Sequence, residues 1–152
     1  MAHKSVNIFF ALVCIFLTAC HVSPSTGKLI HSTADIYPAV GPYSQIVQAG
    51  DQYFLSGVIP LNLNGDAIAG DTIEQQTRQV LDYIAAKLQS LGLRLEHVVM
   101  ATVYMTDLQE FSRMNQVYGE YFVNNAPARA TVEVARLPRD AKIEIAVVAS
   151  SL

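Results

Sequence analysis

The chain reads as a single α+β domain with its elements in the order β-β-α-β-α-β-β. Two segments space apolar residues as amphipathic helices do, five carry strand patterning, and turn-forming residues separate them. With 152 residues, 51% of them hydrophobic and 15% charged, the chain can bury one core without staples and is too short for several domains. Eight Gly and six Pro are ordinary usage, so collagen-like and disordered classes are excluded.

The first two strands flank Ala49-Gly50-Asp51-Gln52, where Gly-Asp supplies a tight turn between Gln45–Gln48 and Tyr53–Val58. Asn62 to Gly70, containing Asn64-Gly65-Asp66, is a loop. Asp71 or Thr72 then caps a helix, with Glu74 or Gln75 placed to complete a capping box. Ile73, Val80, Leu81, Ile84, Leu88 and Leu91 form its apolar stripe, and Gly92 suits a left-handed stop. Val98 to Met105 is apolar on both alternations, as a central strand with little solvent contact would be. Asp107 or Ser112 opens a second helix whose stripe is Phe111, Met114, Tyr118, Tyr121 and Phe122, ended by Asn124-Asn125-Ala126-Pro127. Two further strands, Thr131–Ala135 and Lys142–Ala149, are separated by Leu137-Pro138-Arg139-Asp140.

Ahead of this domain, Lys4 precedes an unbroken apolar run from Ile8 to Leu17, then Thr18-Ala19-Cys20 and a Ser/Pro/Thr/Gly stretch. Ten residues of helix span about 15 Å, roughly half the hydrocarbon thickness, so the run is the core of a secretory leader rather than a membrane span. The tetrad Leu17-Thr18-Ala19-Cys20 resembles the bacterial lipobox, which implies cleavage before Cys20 and its lipidation. The expected division is therefore 1–19 signal peptide, 20–33 tether and 34–152 folded domain. A signal peptide with an incidental Cys is the alternative. Acyl chains at Cys20 would anchor the domain to a membrane, each buried methylene contributing about 0.8 kcal/mol. His21 rather than Asp after the Cys resembles the outer-membrane default, which puts the domain on the periplasmic side. A misassigned start would leave it cytoplasmic. Cys14 and Cys20 are the only cysteines, so the mature domain offers no thiol for disulfides, catalysis or zinc.

Ten Lys plus Arg against thirteen Asp plus Glu gives a net charge of −3, the wrong sign for a nucleic-acid partner held through phosphates. No glycine-rich phosphate loop, HExxH, EF-hand or nucleophile-elbow pattern is present. Several polar residues occupy unexpected places. Glu144 lies between Ile143 and Ile145 in an apolar strand, so it either faces solvent from an edge or needs a cation, donors or a wet pocket. Arg129 follows Pro127-Ala128 at the start of a strand, where its fork of donors suits a carboxylate or simply points to solvent. Asn115 reads as an exposed helix residue beside the apolar stripe, and Tyr43, in Gly41-Pro42-Tyr43-Ser44-Gln45, as a buried tyrosine satisfying its own hydroxyl. His31 and His97 lack metal-ligand spacing and read as surface histidines.

Taken together, AVGPYSQ (39–45), FLSGVIPLN (54–62), MNQVYGEYF (114–122), PARATVEVARLP (127–138) and KIEIAVVA (142–149) closely resemble the reactive-intermediate deaminase family, also called Rid or YjgF, across about residues 29–150. The resemblance implies a chorismate-mutase-like α+β fold, assembly as a homotrimer with clefts between subunits, and hydrolysis of 2-imino acids such as 2-iminobutanoate and 2-iminopropanoate to 2-keto acids and ammonia. It implies Arg129 as the carboxylate ligand and Glu144 as the base that orients water. Ser56 and Gly57 would line the cleft, Tyr43 and Asn115 close it, and Tyr118 form its wall. A small imino or enamine acid is the implied partner, with no metal and no organic cofactor. A tethered module that binds a small carboxylate without turnover is the competing expectation, and endoribonuclease activity a third. Thr131 stands where many bacterial members have Cys, and Ala146 where a further acidic residue is common, which leaves Glu144 the sole carboxylate of its segment.

Overall fold

A computed structural model describes residues 27–151. The leader, Cys20 and the first part of the expected tether lie outside the described residues. The elements are β1 (Leu29–His31), β2 (Ile46–Ala49), β3 (Gln52–Val58), α1 (Ile73–Gln89), β4 (Val98–Met105), α2 (Phe111–Tyr121), β5 (Ala128–Glu133) and β6 (Ile143–Ser150). The strands form one six-stranded sheet in the order β1-β2-β3-β6-β4-β5, in which only the β4–β5 pair is parallel.

The α+β reading stands, with one added strand. Leu29–His31 pairs with β2, inside the segment expected to be tether, and His31 Nε2 is 2.9 Å from Gln48 Oε1. Three residues of strand carry too little pattern to be separated from a linker. The fifth strand begins at Ala128 rather than Thr131, so Arg129 lies within the sheet.

Thr72, not Asp71, caps α1. Its hydroxyl accepts from the Gln75 amide at 3.3 Å, and the Gln75 side chain accepts from the Thr72 amide, also at 3.3 Å. Such a cap contributes about 1 kcal/mol. At the other end Gly92, at φ +73°, closes a Schellman turn: Leu93 N–H donates to Leu88 O at 2.9 Å and Gly92 N–H to Gln89 O at 3.0 Å. Asp107 caps the short 3-10 turn Leu108–Glu110 that leads into α2, so it rather than Ser112 marks the opening.

Both helices pack on the same face of the sheet. Ile73, Val80, Leu81, Ile84 and Leu88 of α1 are fully buried there, with Met114, Val117 and Tyr118 of α2 buried alongside. The expectation of a strand shielded on both sides is corrected for β4. Ala101, Val103 and Met105 are buried beneath the helices, whereas Met100, Thr102 and Tyr104 on the other face are half-buried and Val99 is exposed. Among the described residues no helix covers the second face, so its apolar alternation is left facing outward. Among the described residues no helix is long and apolar enough to cross a membrane.

Candidate active site

Residues paired across strands share a face of the sheet, and successive residues alternate. Arg129 pairs with Ala101, and Ala101 with Val147, all on the helix-covered face. Glu144 pairs with Tyr104, three residues from Ala101 with no irregularity between them, and so projects from the opposite, open face. The predicted site residues accordingly fall into two groups within one protomer.

The first group surrounds Glu144 on the open face. Tyr43, Ser56, Gly57 and Glu144 line a cavity of about 220 Å³ with Tyr37, Val40, Ile59 and Pro138. Glu144 is half-buried rather than on an edge strand, because β6 lies between β3 and β4. Burial holds its carboxyl pKa above the ordinary glutamate value.

Gly57 is there because Glu144 needs the space: a Cβ at Gly57 would sit 2.8 Å from Glu144 Cδ and still closer to its Oε1. The ladder between β3 and β6 passes from Leu55↔Val147 to Val58↔Ile145, so Ser56 and Gly57 together oppose Ala146 in a bulge. Ser56 is pinned to the preceding segment, its N–H donating to Gln45 O at 3.1 Å and its hydroxyl to Ser44 O at 2.7 Å.

Tyr43 is exposed, against the expectation of a buried tyrosine, and its hydroxyl accepts from Val40 N–H at 3.4 Å. Gln45 and Tyr37, which sequence reasoning missed, build the wall behind it. The buried Gln45 side chain accepts from Thr33 N–H at 2.8 Å and donates to Tyr37 O at 3.2 Å. The Tyr37 hydroxyl accepts from Ile59 N–H at 3.1 Å, and burial raises its pKa to about 12. The Ile36-Tyr37-Pro38 segment, apolar ahead of the first predicted strand, was the only signal for this wall.

The second group surrounds Arg129 on the helix face, where Asn115, Tyr118, Gly119, Phe122, Ala126, Pro127 and Arg129 line a concavity of about 370 Å³. The guanidinium lies 4.4 Å from the Tyr118 ring centroid and 5.7 Å from that of Phe111. Its Nη2 donates to Asn115 Oδ1 at 2.7 Å. Asn115 is thus exposed, as expected, and also orients the arginine. Among the described residues no acidic side chain pairs with Arg129, so its remaining donors are available. The Tyr118 hydroxyl is buried without a hydrogen-bond partner, consistent with a wall rather than a polar contact.

His97 Nδ1 accepts from Arg94 N–H at 3.1 Å, a local turn contact. Among the described residues no group of three or more His, Cys, Asp or Glu is arranged to hold a metal ion.

The domain is thus a sheet with two helices on one face, carrying a clamped arginine on that side and a shielded carboxyl on the other. The family model for Endoribonuclease L-PSP matches residues 33–151, and the chain belongs to that family, which includes the Rid and YjgF proteins. A RutC family protein of Saccharolobus solfataricus is 49% identical over 110 residues, 72% of this chain and 87% of its own. Reactive Intermediate Deaminase A of Arabidopsis thaliana chloroplasts is 39% identical over 126 residues, 83% of this chain and 67% of its own. The solved structure of E. coli TdcF with bound serine superposes with a TM-score of 0.76 at 36% identity, covering 82% of this chain and 99% of that one.

Proposed function

We propose that the protein is a deaminase of reactive 2-imino acids of the 2-iminobutanoate and 2-iminopropanoate type, acting as a homotrimer whose sites lie between subunits. The observation that carries this reading is an arginine held by aromatic rings and Asn115 with donors to spare on one face, and a lone shielded carboxyl on the other. Similarity to a named reactive-intermediate deaminase and to a relative crystallised with an amino acid supports it.

Because Arg129 and Glu144 leave the sheet on opposite faces, one subunit supplies the anion clamp and its neighbour the acid. Arg129 binds the substrate carboxylate with two parallel charge-assisted hydrogen bonds. Glu144 takes a proton from water as the oxygen bonds to the imine carbon, and the C=N electron pair moves to nitrogen. With the imine protonated at nitrogen this gives a carbinolamine. Glu144 returns the proton to its nitrogen, then accepts the hydroxyl proton as the oxygen forms the C=O bond, the C–N bond breaks, and ammonia leaves with a 2-keto acid. A carboxyl shifted upward by burial suits both halves of this transfer. Tyr43, Ser56 and Gly57 shape the chamber, and positioning supplies much of the acceleration.

We further propose lipidation at Cys20 and anchoring at a membrane, on sequence grounds alone; loss of palmitate incorporation in Cys20→Ala is its test. For the activity, enzymatically generated 2-iminopropanoate and 2-iminobutanoate are offered to the purified protein and keto-acid release is followed. Acceleration over buffer is expected, with Arg129→Ala losing roughly a hundredfold or more. Absence of acceleration in the wild type rejects the deaminase, and ligand stabilisation without turnover would assign a carboxylate-binding module instead.

A further inference from the structure

Of the polar side chains that α1 buries, Gln76, Thr77 and Lys87, only the last is charged. Lys87 follows Ile84 by three positions, on the core-facing side, and is 2% exposed. Among the described residues no carboxylate pairs with it, and burial lowers its ammonium pKa to about 8. A buried cation without a counter-ion contributes little to stability and commonly detracts from it. Its contact is instead specific: Lys87 Nζ donates to Ser56 O at 3.2 Å.

Ser56 is the first residue of the bulge, where the regular ladder with β6 is interrupted. The peptide joining Ser56 to Gly57 therefore has Lys87 against it from the helix side, while Glu144 lies against Gly57 from the open face. In a planar trans peptide the carbonyl and the following N–H point in opposite directions. Holding Ser56 O toward α1 thus turns the Gly57 N–H away from it, and the adjacent cation polarises that amide into a stronger donor.

We propose that Lys87 is a positioning residue of the active site, a buried cation that fixes the Ser56–Gly57 bulge from behind and so sets the seat of Glu144 and the direction of the Gly57 amide. This rests on the deaminase reading above. Lys87 itself touches neither substrate nor water and acts through the peptide. Its removal accordingly affects the reacting geometry more than the binding of the carboxylate at Arg129, which lies on β5, with β6 and β4 between it and the bulge in β3.

The experiment replaces Lys87 by Met, which keeps the unbranched stem without the charge, and by Ile as a second apolar variant of different shape. Each full-length protein is compared with wild type for thermal midpoint, for kcat and KM on 2-iminopropanoate, and for the backbone amide signals of Ser56 and Gly57 by NMR. The expected result is a thermal midpoint equal to or above wild type, kcat lower by roughly ten- to a hundredfold with KM little changed, and Ser56 and Gly57 amide signals moved while those of α2 stay in place. A folded variant with wild-type kcat, or one whose kcat and KM change only in step with a lowered midpoint, overturns the proposal. Should the wild type itself lack turnover, the deaminase reading falls separately. The amide signals then decide the link, with unmoved Ser56 and Gly57 resonances in either folded variant overturning it.

Discussion

Arg129 and Glu144 belong to strands separated only by β4, yet their side chains leave the sheet on opposite faces, because their partners on β4, Ala101 and Tyr104, are offset by an odd number of positions. One protomer therefore cannot close both groups around a small molecule. A site using both must be completed by a neighbour, and each subunit would contribute one half to each of two clefts.

That geometry predicts complementation. Arg129→Ala and Glu144→Gln subunits are each expected to be inactive alone. Unfolded together and reassembled, they should recover up to roughly a quarter of wild-type turnover, since in a cyclic trimer each mixed assembly restores one of its three sites. Recovery is read as keto-acid release against the mixing ratio. No recovery from mixed assemblies of confirmed trimeric size would place both groups of each site in one subunit.

Gly57→Ala tests the close approach of Gly57 to Glu144. The new Cβ meets the Glu144 carboxyl group, so a loss of about 1 to 3 kcal/mol in denaturant unfolding is expected, together with loss of turnover. The double variant Gly57→Ala/Glu144→Ala removes the obstruction and should regain most of the stability, though no activity. Additive losses would show that the two residues do not compete for the same space.

Glu144 also predicts a pH dependence of stability. Its folded pKa is raised by burial, so the folded state favours the protonated form. Stability from this group is complete below the ordinary glutamate value, near about 4.3, and is lost as pH rises through the raised folded value. Glu144→Gln should therefore match or exceed wild type in urea unfolding at neutral pH, and the advantage should shrink on acidification. An advantage that grows as pH falls would contradict the assignment of a desolvated carboxyl.

Much of the fold was legible in the sequence. The capping box at Thr72 and Gln75, the stripe from Ile73 to Leu88 and the left-handed stop at Gly92 are local devices whose spacing is visible without knowing any partner strand. The three-residue β1 was not, since so short a strand exists only through its pairing with β2. The residues that the family resemblance singled out, Arg129, Glu144, Gly57, Ser56, Tyr43, Asn115 and Tyr118, all border one of two hollows. Gln45, Tyr37 and Lys87 escaped notice because a buried polar residue announces itself only once its surroundings are known.

By itself, then, the sequence determined which segments become helix or strand, because helical and strand periodicities are written into neighbouring positions, while the candidate site residues came from its resemblance to a family. Only the tertiary structure decided that the arginine and the acid are divided between the two faces, that a bulge brings Gly57 against Glu144, and that Lys87 reaches Ser56 through the core. Those outcomes depend on the register between strands far apart in the chain, and a shift of a single residue in pairing would reverse the face of every side chain involved.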